Sequence, residues 1–162
     1  MIAVIGCGNP NRGDDGAGLE VLRLLKDRRL NALPDVALFD AGTDGMGVMF
    51  AARGCRSLIV VDACRSGSEP GAVFEVPGDE LAARHRPTLT LHDFRWDHAL
   101  YAGRQIFREL FPTDVVVLLI EAKTFDFGIG LSAPVADGVA KVAGRIETLV
   151  RERHAHRTTA AS

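Results

Sequence analysis

The chain has 162 residues, 47% hydrophobic and 25% charged, which is the make-up of one ordinary globular domain and excludes a disordered or fibrous protein. Lys and Arg number 19 against 21 Asp and Glu, a formal charge of −2 that leaves no basic stripe for nucleic acid. The longest apolar runs, such as Val115 to Ile120, are far shorter than the ~20 residues of a membrane span, and MIAVIGCGNP lacks a secretory leader, so the expected setting is cytoplasmic.

Met1 to Gly6 reads as a short apolar strand that stops at a glycine-rich loop, Gly6 to Gly13. A helix follows in which Ala17, Val21, Leu24 and Leu25 share one face, with Lys26, Arg28 and Arg29 where the macrodipole favours cations. Asp35 to Asp40 is a second strand, and Asp44 to Arg53 a short helix or turn. Ser57 to Asp62 is a third strand, apolar enough to be buried on both faces. Gly71 to Val76, flanked by Pro and Gly, suits an edge strand. A helix is expected from about Asp93 to Leu110, with Leu100, Gly103, Phe107 and Leu110 inward, then a fifth strand over Asp114 to Glu121. The last helix spans about Ala133 to Arg151, where Val135, Val139, Val142, Ile146 and Leu149 keep one face to a core.

Strands alternating with helices predict a three-layer α-β-α sandwich: a twisted, mostly parallel five-stranded sheet with helices on both faces. Residues 1–152 form a single domain on this reading, and 153–162 a disordered polar tail. Ligands of such sheets bind outside the carboxyl ends of the strands. Those positions here are acidic: Asp14 and Asp15 after the first strand, then Asp40, Asp62 and Glu121. Each alone is an ordinary cap or turn residue, but together they repel unless a proton, a base or a cation intervenes. Oxygen-rich sites of this kind take divalent metals, and one His moves the preference toward zinc, nickel or iron. His92, at a helix start, can project into the crevice, whereas His98 points elsewhere on the helix; Trp96 has no assigned role.

Other chemistries fit poorly. The opening loop lacks the third glycine of a dinucleotide fingerprint and sets two carboxylates where a phosphate would sit. Cys7, Cys55 and Cys64 form no CxxC pair, and Cys7 reads as a packed small residue rather than a nucleophile.

GCGNPNRGDDGAG (Gly6 to Gly18) resembles the N-terminal signature of the [NiFe]-hydrogenase maturation endopeptidases, G-x-G-N followed by D-[DE]-x-x-G. The similarity continues in order through DAGTDGM (Asp40 to Met46), LIVVDAC (Leu58 to Cys64), LHDF (Leu91 to Phe94) and GIGLSAPV (Gly128 to Val135). The resemblance implies an endopeptidase that removes the C-terminal extension of a hydrogenase large-subunit precursor once nickel has been installed. It implies metal contacts at Asp15, Asp62 and His92, with Asp15 or Asp62 activating water, and precursor recognition by Asp40, Gly42, Thr43 and Gly45. The nickel is the precursor's own, and a surrogate divalent metal can occupy the site. The expected partner is that precursor, with no nucleic acid and no membrane, and the expected state is a monomer. Two other functions remain open: a nickel-dependent checkpoint or carrier that uses the same ligands and docks without cutting, and a general metallopeptidase on the same fold.

Overall fold

A computed structural model describes residues 1–82 and 96–160 of the chain. Its five strands are β1 (Ile2–Cys7), β2 (Val36–Gly42), β3 (Ser57–Cys64), β4 (Val73–Pro77) and β5 (Asp114–Glu121). They form one sheet in the order β2-β1-β3-β5-β4, parallel except for β4, which runs antiparallel to β5 at the edge. The helices are α1 (Ala17–Asp27), α2 (Gly45–Ala52), the short α3 (Gly78–Ala82), α4 (Trp96–Phe107) and α5 (Ala133–Ala160).

The layers follow from the two-residue period of the strands. Ile2 and Val4 of β1, Ile59 and Val61 of β3, and Leu118 and Ile120 of β5 face α1 and α5 in one core. Ala3, Ile5, Leu58, Val60, Val115 and Val117 face α2 and α4 in the other. Both faces are therefore covered, which is why β3 is buried along nearly its whole length. The sequence expectation of a helix-flanked five-stranded sheet holds, and the predicted inward stripe of α5 is buried at all five positions.

The stripe of α4 differs. Trp96, Ala99, Leu100 and Gly103 are buried, but Phe107 is half-buried and Leu110 is 54% exposed. The helix ends in a 3-10 turn over Arg108–Leu110, with Arg108 at a left-handed φ of 46°, so the helical phase is lost before Leu110. Phe111 takes the core position instead, its ring lying where a Cβ on Gly103 would stand. The expected helix start at about Asp93, and Leu91 to Phe94 with His92, lie outside the described residues.

The segment read as a disordered tail is helical as far as Ala160. It contains no Gly or Pro to stop a helix, and Arg153 supplies a tertiary anchor. Its guanidinium pairs with both carboxylate oxygens of Asp114 at 2.5 Å and reaches Ser57 Oγ, bonding α5 to the amino ends of β5 and β3. No helix among the described residues is long and apolar enough to cross a membrane.

The chain leaves β1 toward β2 on one side and later returns to place β3 on the other. The carboxyl ends of β1 and β3 therefore border the topological switch point, where sheets of this type form a ligand crevice.

Candidate functional site

Two glycines create the crevice. Gly8 has φ +123°, and its N–H donates to Gly42 O at 2.7 Å, joining the loop after β1 to the end of β2. A Cβ there would lie 1.8 Å from the Asp15 carbonyl oxygen and 3.6 Å from Asp62 Oδ1. Only glycine fits, and its missing side chain lets the backbone of Asp15 and the carboxylate of Asp62 both pack against the loop after β1. Gly18 does the same for α1: a Cβ would stand 2.4 Å from Cys7 O and 2.6 Å from Val61 O, so the first turn of α1 rests directly on the strand ends.

The acidic residues at this edge separate into two kinds. Asp14 is fully buried and accepts from Lys123 N (2.8 Å), Thr124 N (3.1 Å), Ser132 N (2.7 Å) and Ser132 Oγ (2.9 Å). Burial pushes its pKa up, but these donors together outweigh burial and hold it below the usual carboxylate value. Glu121, 1% exposed, accepts from Ser66 N, Gly67 N, Ser66 Oγ and Cys64 Sγ, and its pKa is lowered in the same way despite burial. Both carboxylates are structural acceptors that pin the loops after β5 and β3.

Asp15 and Asp62 are differently placed. Asp15 lies in the 3-10 turn Gly13–Gly16, half-buried, with Oδ2 accepting from Asn9 N at 2.9 Å. Asp62, 3% exposed, points to the α2/α4 side of β3, with Oδ1 accepting from Ala63 N and Oδ2 from Trp96 Nε1, each at 2.8 Å. Asp40 is exposed and closes a turn onto Gly42 N at 2.9 Å. Gly42 (φ +52°), exposed Thr43 and buried Gly45 lead into α2, which Asp44 caps by accepting from Met46 N. The Gly8–Gly42 hydrogen bond places this loop on the flank of the Asp15/Asp62 pair.

His92 lies outside the described residues. His98 is half-buried, with Nδ1 3.7 Å from Asp97 Oδ1 of its own helix. It follows Trp96 by two positions, about 200° around the helix, so it does not share the direction in which Trp96 reaches Asp62. Trp96 is the residue sequence reasoning left without a role. Its signal was a Trp at the start of an inward helix, since a buried indole N–H needs an acceptor. Cys7 is 5% exposed within the α2/α4 core. The Cys64 thiol is pushed up to about 12, by burial first and then by its hydrogen bond to Glu121 and the charges of Glu121 and Asp62. It is a neutral thiol at any physiological pH.

Asp62 brings a carboxylate and Asp15 a backbone carbonyl against Gly8, and with the Asp15 carboxylate on the same loop these are hard oxygen donors of the type that suits a divalent cation. Among the described residues no group of three or more His, Cys, Asp or Glu side chains is placed to hold a metal, so two carboxylates are the described part of any such site.

Residues 19–149 match the family model described as hydrogenase maturation protease, a span that holds Asp40, Asp62 and His92 and begins just after Asp15. A Methanocaldococcus jannaschii protein named as a hydrogenase maturation protease is 32% identical over 147 residues, covering 86% of this chain and 90% of its own. The hydrogenase expression/formation protein HupM of Azotobacter chroococcum is 30% identical, over 83% of this chain and 64% of its own. Among solved structures, the hydrogenase maturating endopeptidase HybD of Escherichia coli superposes with a TM-score of 0.78 at 23% identity, over 94% and 93% of the two chains. The HybD protease of Thermococcus kodakarensis gives 0.74 at 24% identity, over 92% and 98%.

Proposed function

Because the chain belongs to the hydrogenase maturation protease family and is accordingly a peptidase, we propose that it removes the C-terminal extension of a [NiFe]-hydrogenase large-subunit precursor after nickel insertion. The observation that supports this reading is the packing of the Asp15 backbone carbonyl and the Asp62 carboxylate against Gly8, beside the Asp40 to Gly45 loop. Asp14 and Glu121 are spent on backbone and hydroxyl donors, which leaves the pair that matches the family motif for chemistry.

The nickel belongs to the precursor and is part of the substrate; Asp15, Asp62 and His92 are the residues that contact it. Bound there, it supplies Lewis acidity near the scissile carbonyl. Asp62, buried and held at both oxygens, is suited to a fixed ligand. Asp15, half-buried and held by Asn9 N at Oδ2, is the better placed to take a proton from water as general base. Asp40, Gly42, Thr43 and Gly45 lie where an extended segment approaching the pair would run alongside the end of β2.

The test is a processing assay. Purified protein is mixed with nickel-loaded and nickel-free precursor, and product masses are read by intact mass spectrometry. Loss of a C-terminal peptide from the nickel-loaded form alone is the expected result. An intact precursor that nonetheless binds would overturn cleavage and favour a checkpoint. Cleavage of unrelated short peptides with added metal would favour a general metallopeptidase.

A further inference from the structure

We propose that Trp96 is a positioning residue for Asp62, fixing through its indole N–H the direction in which this carboxylate meets the nickel of the precursor. The inference rests on the proposed function and deepens it.

Among the described residues, Asp62 receives an N–H donor on each oxygen: Ala63 N, from its own strand, on Oδ1 and Trp96 Nε1, from α4, on Oδ2. Two donors from different elements define its plane. Both partners are buried, Trp96 at 9% exposure and Asp62 at 3%, so water does not compete effectively for either oxygen. The contact also clamps the first residue of α4 to the carboxyl end of β3. Partners of this kind, behind a metal-binding side chain, are worth about 10–100-fold in metal affinity or activity.

A buried indole N–H needs an acceptor in any case, so a purely structural role is the competing explanation. The chain has one tryptophan, which permits a near-single-atom test. Biosynthetic replacement by 3-benzothienylalanine puts sulfur where the N–H stands and keeps the bicyclic shape. Nickel(II) is titrated into the free protein by calorimetry, the urea midpoint is measured, and KM and kcat are determined with nickel-loaded precursor. Expected are nickel binding weakened by roughly tenfold or more, a KM raised in step, and a urea midpoint close to wild type. Trp96→Phe should reproduce the loss, and 7-azatryptophan, which keeps the N–H, should restore wild-type binding.

Equal nickel affinity in the folded benzothienyl protein would overturn the inference, as would no nickel binding by wild-type protein at millimolar metal. So would a loss of binding that appears only alongside unfolding in both Trp96→Phe and the benzothienyl protein. Failure of the proposed function looks different: nickel binding depends on Trp96, yet no precursor is cut.

Discussion

Asp14 and Asp15 are adjacent, both acidic, and assigned opposite work, and substitution separates them. In Asp14→Ala the N–H groups of Lys123, Thr124 and Ser132 and the Ser132 hydroxyl lose their common acceptor. An orphaned buried donor costs about 1–3 kcal/mol. Lys123 is exposed and Thr124 and Ser132 are half-buried, so water recovers part of the loss, and a total of about 3–5 kcal/mol is expected. Against a typical stability of about 5–15 kcal/mol this leaves a marginal protein. Asp14→Asn can keep its oxygen toward Lys123, Thr124 and Ser132 Oγ, which turns its amide toward Ser132 N, a single donor–donor conflict costing about 1–3 kcal/mol. The native carboxylate is held below its ordinary pKa, so its stabilisation is present above about pH 4 and lost as pH falls through the folded value. The gap between wild type and Asp14→Asn should therefore narrow in acid. Asp15→Asn, with one backbone donor to satisfy, should change stability by less than about 1 kcal/mol while abolishing precursor cleavage. Urea unfolding at pH 7 and pH 3.5 reads the first set and the mass assay the last. An Asp14→Ala protein within about 1 kcal/mol of wild type would refute the account of this carboxylate.

Two further outcomes follow from other contacts. Cys64, with its thiol raised to about 12, should resist iodoacetamide at pH 8, reacting about 100-fold more slowly than in urea-unfolded protein by peptide mass mapping. Because the folded pKa is raised, the corresponding stabilisation is present below about pH 8.5 and lost as pH rises toward 12; equal alkylation rates would contradict the burial of the thiol and its Glu121 contact together. Truncation before Arg153 removes its fork onto Asp114 and Ser57, whereas truncation after His156 keeps it. Asp114 is 44% exposed at its side chain, so the pair is screened and the loss is about 1 kcal/mol, or about 2–4 °C in Tm. Identical melting of the two truncated proteins would show that the fork contributes nothing.

Periodicity carried most of the fold. Ser57 to Asp62 and Asp114 to Glu121 were legible because strands buried on both faces are nearly continuous apolar runs, and α5 because its stripe repeats without interruption. Leu110 misled because a 3-10 turn changes the phase within three residues, which no hydrophobic count reveals. The helical tail was missed because its anchor, Arg153 on Asp114, joins residues 39 positions apart. The acidic edge was legible as a group, yet nothing in one sequence distinguishes Asp14, which faces four donors, from Asp15, which faces one. That distinction lies in where the loop after β5 runs. Trp96 escaped assignment for the same reason: its acceptor is on another layer of the fold.

The long reach of the Asp14 contacts has a consequence for biosynthesis. The donors that immobilise Asp14 lie 109 to 118 residues further along the chain. At roughly 5–20 residues per second, the loop holding Asp15 spends about 5–25 s on the ribosome before its fastening exists. A growing or prematurely ended chain that stops before Ser132 thus carries Asp15 without the full set of contacts that holds its neighbour Asp14.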